Sequence, residues 1–108
     1  MTYIKLGGIR AFPNAQPTKE QAVKVLEEAA EVFGAWQEAE ISKTAYADPE
    51  EREVSGYAFG YGEVLLDEIA DTIQASCNLA AALGVTDLTP YLARCEERNR
   101  HRGRYDAL

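Results

Sequence analysis

Two short runs of this chain gather acids at spacings that suit a helix. The run LEEAAEV holds Glu27, Glu28 and Glu31, and the run LLDEIADTI holds Asp67, Glu68 and Asp71. Positions three apart on an α-helix lie about 60° apart and roughly one turn along, so Glu28 with Glu31, and Glu68 with Asp71, form stacked pairs. In projection Glu28 falls beside Val25 and Val32, at the edge of an apolar face, and Glu68 falls beside Thr72 and Leu79. Asp71 lies further out. Two helices packed side by side can therefore bring the four carboxylates together. Such a group repels itself, more steeply as water is excluded. Lys24 is the nearby cation on the first run's helix, and the second run's helix carries none. A bound cation is the physical remedy, and all-oxygen ligation without His or Cys selects a hard ion, Mg2+ or Mn2+. Acids on a helix more often form a solvated face. Two pairs, each at the core boundary of a strongly amphipathic helix, weigh toward a metal site.

The elements that must hold these pairs are legible in the spacing. Thr18 offers an N-cap, with Gln21 completing a capping-box pattern. From there to about residue 41 apolar residues recur at helical period: Val23, Leu26, Ala30 and Phe33, then Val25, Ala29, Val32 and Trp36. Gly34 interrupts this helix at a cost of about 1 kcal/mol relative to Ala, which suggests a close-packed position. Residues 42–62 form a linker loop, in which Asp48-Pro49 opens a short helix to Glu53 and a glycine–aromatic stretch follows. A second strong helix runs from about 63 to 83, with Gly84 placed as a left-handed C-cap. Thr89-Pro90 starts a third helix that ends near Gly103. Residues 1–17, with Gly7, Gly8, Pro13 and Pro17, form an irregular lead-in, and nothing alternates like a strand for long. The expected fold is one all-α domain over residues 1–108, an antiparallel bundle of two long helices and a shorter C-terminal one. The apolar arc of the second helix (Leu65, Leu66, Ile69, Ile73, Cys77 and Leu79 among others) is too wide for one short partner helix. A homodimer or homotetramer is therefore expected to complete the bundle.

Composition narrows the function classes. The 108 residues include 18 acidic and 11 basic side chains, a net charge of −7, which disfavours wholesale nucleic-acid binding. The longest apolar run, 79–85, is far short of the roughly 18 residues of a membrane span. No basic-then-apolar leader opens the chain, and Cys77 and Cys95 fit no metal-finger spacing, so a cytoplasmic protein with reduced thiols is expected. Cys77 falls on the apolar arc and reads as core, and His101 as a solvated helix-end residue.

With these residues in view, the chain resembles the MazG-like all-α nucleotide pyrophosphohydrolases, whose signature is EExxE followed on a later helix by ExxD. The match is Glu27-Glu28-x-x-Glu31 and Glu68-x-x-Asp71, within LEEAAEV and DEIADTI, with an Ala-rich end to the second helix and a closing Asn-Arg segment. It covers residues 20 to 105. The resemblance implies Mg2+-dependent hydrolysis of a nucleoside triphosphate between the α and β phosphates, giving the monophosphate and pyrophosphate. It implies Glu28, Glu31, Glu68 and Asp71 as metal ligands and Glu27 as a water-orienting acid. Spacing by itself does not choose between Glu27 and Glu28, since each shares a face with Glu31. A non-catalytic helical regulator that binds nucleotide or a protein partner through the same groove is the alternative.

Charge is unevenly distributed. Residues 1–71 carry six basic and fourteen acidic side chains, whereas 72–108 carry five arginines and four acids. Those arginines suit the negative end of a helix, and guanidinium groups also grip phosphate in a forked geometry. The resemblance assigns nucleotide contacts to Asn99, Arg102 and Tyr105, with Arg98 beside them. A Lys common in the family one turn before the Asn is Cys95 here. For a base pocket the aromatic candidates are Phe12, Tyr57, Phe59 and Tyr61, while Trp36 reads as core.

Overall fold

The computed structural model describes residues 2–45 and 61–106, with side chains over 2–41 and 62–106. The short helix read at 48–53 and the aromatics Tyr57 and Phe59 lie outside the described residues, as does the side chain of Tyr61. Among the described residues the chain is all-α, with helices α1 (Lys19–Ala45), α2 (Tyr61–Ala82) and α3 (Thr89–His101) and no strand. No helix of the described residues is long and apolar enough to cross a membrane.

Local chemistry sets the ends of these helices. Thr18 Oγ1 accepts the Gln21 N–H at 3.3 Å, the expected N-cap of α1. The Thr18 N–H goes instead to the Gln16 carbonyl at 2.8 Å, so the capping box is one-sided. No Gly or Pro follows Ile41 until Pro49, and α1 continues past the expected stop to Ala45. At the far end of α2, Val85 N–H reaches back to the Ala80 carbonyl and Gly84 takes φ +85°, a Schellman stop. The same device recurs after α3, where Gly103 has φ +71° and Arg104 N–H bonds the Asn99 carbonyl. Before α3, the Asp87 carboxylate accepts the Thr89 N–H at 2.9 Å. Hydrogen bonding to Thr89 holds its pKa below the ordinary value.

One seam organises the packing. On α1 the less exposed residues are Gln21, Val25, Glu28, Val32, Ala35 and Ala39, spaced alternately four and three apart. On α2 they include Leu65, Glu68, Thr72, Ala75, Leu79 and Ala82 at the same rhythm. The two helices meet along these rows, with Ala35, Ala39 and Ala75 buried. Small side chains let the helix backbones approach closely at those points.

The lead-in is tied to α2 by a pair of amides. Asn78, only 3% exposed, accepts the Phe12 N–H on Oδ1 at 2.9 Å. Gln74 Nε2 donates to the Arg10 carbonyl at 2.9 Å and to Asn78 Oδ1 at 3.0 Å. This tether fixes the helix direction. A parallel pair with Glu28 opposite residues 68–71 would put Lys19 about 26 Å from Asn78 along the axis. Seven residues fully extended reach at most about 25 Å, and the 12–18 segment is shortened by the Ala15 N–H to Phe12 carbonyl turn. The long helices therefore run antiparallel, as the sequence indicates.

Three expectations need correction. The third helix does not join a three-helix bundle, because α1 with α2 is the one extensively packed pair among the described residues. Its surface explains this: α3 has no buried residue and carries arginines and glutamates along its length. Trp36 is not core within the chain. It is 49% exposed and stacks on Phe33, itself 59% exposed, with centroids 6.1 Å apart. Nor is Gly34 closely packed, since a Cβ added there meets nothing within 4 Å.

The two glycines therefore respond in opposite directions. Gly34→Ala gains about 0.5–1 kcal/mol, because it removes unfolded-state freedom without a clash. Gly84→Ala loses about 1 kcal/mol or more, because an L residue is forced to positive φ. Urea unfolding followed by circular dichroism should move the midpoint up for the first and down for the second.

Candidate metal centre

Glu28 lies on the α1 row that faces α2, between Val25 and Val32, and its side chain is 14% exposed. Across the seam, Glu68 is half-buried on the matching row of α2, and Asp71 stands one turn along at the solvent edge. Carboxylate oxygens of Glu28, Glu68 and Asp71 all lie within 4.8 Å of one another. The sequence places both Glu28 and Glu68 at a core boundary, and that is where they are found.

The electrostatics of the group are unbalanced. Lys24 Nζ stands 3.5 Å from Glu28 Oε1 and 3.4 Å from Glu27 Oε2, so one ammonium is shared by two carboxylates. Its hydrogen bond to Glu27, then the charges of Glu27 and Glu28, raise the lysine pKa above its ordinary value and keep it cationic. Glu68 and Asp71 have no ion pair among the described residues. Glu68 Oε2 is buried and has no hydrogen-bond partner among the described residues. The Thr72 hydroxyl, which might have served it, donates to the Glu68 main-chain carbonyl at 3.0 Å instead. A buried carboxylate oxygen with nothing to accept from is costly, and a cation among three carboxylates satisfies it. The oxygen-only donor set fits a hard divalent ion.

Set against known protein families, curated proteins and solved structures, the chain matches none.

The other expected site residues are distributed as follows. Glu31 is exposed and lies outside the group of three, one turn beyond Glu28 on α1. Glu27 is exposed and turned to Lys24. This separates Glu27 from Glu28, a choice that spacing leaves open. On α3, Arg98 is exposed and half-buried Asn99 donates to Cys95 Sγ at 3.6 Å. Arg102 caps the helix, and Tyr105 is 57% exposed. Arg100 is paired with Glu96 and Glu97, whereas Arg98 and Arg102 form no ion pair among the described residues. These groups are not gathered onto the carboxylates by packing of α3 within the chain. His101 is solvated, as expected, beside Glu97. Gln74 and Asn78 were not singled out by the motif. Their signal is two amides one turn apart on the uncharged C-terminal half of α2.

The carboxylates predict a paired thermal response. In EDTA, Glu68→Gln should melt higher than the parent by several degrees, since relief of about 1 kcal/mol of repulsion moves Tm by roughly 4–8 °C in a chain this small. With millimolar Mn2+ the parent should gain Tm and Glu68→Gln and Asp71→Asn should not. Glu27→Gln should respond to Mn2+ like the parent. Equal Mn2+ shifts in all four proteins would rule the site out.

Proposed function

We propose that this chain is a Mg2+-dependent nucleoside triphosphate pyrophosphohydrolase, acting on an NTP or dNTP to give the monophosphate and pyrophosphate. The observation that carries the reading is the group of three carboxylates across the α1–α2 seam, with Glu68 Oε2 left without a partner among the described residues. The likeness of Glu27-Glu28-x-x-Glu31 and Glu68-x-x-Asp71 to the MazG-like signature supports it. Glu28, Glu68 and Asp71 would hold Mg2+, or Mn2+, with Glu31 joining from one turn along. The ion supplies charge neutralisation and orientation for a triphosphate. The chain's own part is to fix these acids on two packed helices, so that little reorganisation is needed when substrate arrives. Water adds at the α phosphorus and pyrophosphate leaves. Glu27, solvated and steadied by Lys24, is the acid assigned to orient that water. Arg98 and Arg102, with Asn99 and Tyr105, are the groups assigned to the phosphates and sugar, since guanidinium forks match phosphate oxygens. A cytoplasmic setting, where nucleotides and Mg2+ abound, belongs to the same reading.

A second copy of the chain is part of the proposal. Beside the row facing α2, α1 carries a further row, Ala22, Leu26, Ala29, Phe33 and Trp36, again four and three apart and all exposed. That rhythm is the seam of a helix–helix interface. A homodimer or homotetramer would cover this exposed row.

Two measurements test the reading. Purified protein should release pyrophosphate from at least one common NTP or dNTP with Mg2+ and none with EDTA. Glu31→Gln and Asp71→Asn should each abolish release while the helical spectrum is unchanged. Nucleotide binding without any release would favour the non-catalytic regulator. In sedimentation at micromolar concentration the mass should be two or four times 11.9 kDa, and Leu26→Glu with Phe33→Glu should lower it. A parent that sediments as a monomer would refute the second-copy assignment.

A further inference from the structure

Most of the lead-in runs exposed, yet residues 10–12 are fixed. Asn78, the one buried polar residue noted among the described residues, uses its Oδ1 to hold the Phe12 N–H, and Gln74 bridges from the Arg10 carbonyl to the same Oδ1. A buried amide devoted to an otherwise irregular segment asks for a reason. The segment contributes little to the core, because the Phe12 side chain it anchors remains 57% exposed. What the amides achieve is placement. Gln74 is one turn and Asn78 two turns from Asp71, about 4.5 and 10 Å along the axis. Asn78 lies only about 20° round the helix from Asp71. The tether thus holds the Phe12 main chain at Asn78, about 10 Å along α2 from Asp71, a distance comparable to the reach of a nucleotide from its phosphates to its base.

We propose that Phe12 is the stacking platform for the base of the bound nucleotide, and that Asn78, with Gln74, is its positioning residue. This deepens the pyrophosphohydrolase reading and rests on it. An exposed aromatic face held in place loses little freedom on binding and accepts any base. Its contribution is confined to ligands that carry a base. Phosphate and metal contacts belong to the carboxylates and arginines, so the two parts of the ligand are separable by experiment.

The test is calorimetric titration of the full chain, with Mn2+ present, using α,β-imido analogues of ATP, GTP, CTP and UTP and, separately, inorganic tripolyphosphate. Base stacking is worth about 1–3 kcal/mol, so Phe12→Ala should weaken the tightest analogue roughly 5- to 150-fold and leave tripolyphosphate unchanged. Phe12→Trp should restore the analogue's affinity. Asn78→Ala should reproduce the Phe12→Ala pattern, and Asn78→Asp, which keeps the accepting oxygen, should recover much of the loss. Unchanged analogue affinity in Phe12→Ala overturns the proposal, as does equal weakening of analogue and tripolyphosphate. A change in sedimentation mass with no change in affinity would place Phe12 in a subunit interface instead. If the parent binds Mn2+ but neither phosphate ligand, the pyrophosphohydrolase reading falls, and this proposal with it. Tripolyphosphate binding with no preference for any nucleoside analogue leaves that reading standing and overturns this one alone.

Discussion

The seam between α1 and α2 holds acids where a helix pair ordinarily holds apolar side chains. Glu28 and Glu68 occupy the same rows as Val25, Val32, Leu65 and Ala75. The packing that joins the helices therefore also forces like charges together. Desolvation and mutual repulsion both oppose this arrangement, and within the chain one shared lysine is the counter-charge beside it. Much of the remaining design follows from having to hold such a group in place. The seam is narrow and alanine-rich on both sides of the acids, with buried Ala35 and Ala39 toward the C-terminal end of α1 and buried Ala75 toward the C-terminal end of α2. The cost of the acids is offset by contacts made elsewhere along the same two rows.

The hydrophobic periodicity of the sequence resolved the main architecture because it arises from this seam. Val25, Val32, Leu65 and Leu79 mark the faces, Thr18 marks the start of α1, and Gly84 and Gly103 mark the stops of α2 and α3 through their positive φ. The same rows located Glu28 and Glu68, since a boundary position is a property of one helix and its period. What remained illegible depends on how elements meet. Trp36 and Phe33 look like core by type, yet both remain exposed. The separate course of α3 reflects a polar surface, which spacing and caps do not register. The amides of Gln74 and Asn78 act on residues 64 to 66 positions away, beyond the range of any local pattern.

Charge is laid out along the molecule in a manner consistent with these roles. The helix pair is acidic and α3 is rich in arginine, so the proposed triphosphate would meet both a group that calls for a bridging cation and a group that attracts it directly. Glu96 and Glu97 neutralise Arg100, which leaves Arg98, Arg102 and Arg104, with Arg94 over the Tyr91 ring, without an ion pair among the described residues. Because α3 is not packed on the helix pair among the described residues, the chain's own core there does not bring these arginines to the carboxylates.

The tether between Phe12 and Asn78 also orders events in time. It closes a loop of 66 residues, and such a closure becomes favourable only after the intervening chain has become compact. The helix pair can register itself through nearer contacts along its seam, and the lead-in then has a surface on which to settle. The N-terminal segment accordingly locks after the helix pair during folding and opens before it in native-state hydrogen exchange. Its amide protons, the Phe12 N–H above all, report on completion of the structure, whereas those of α1 and α2 report on its existence.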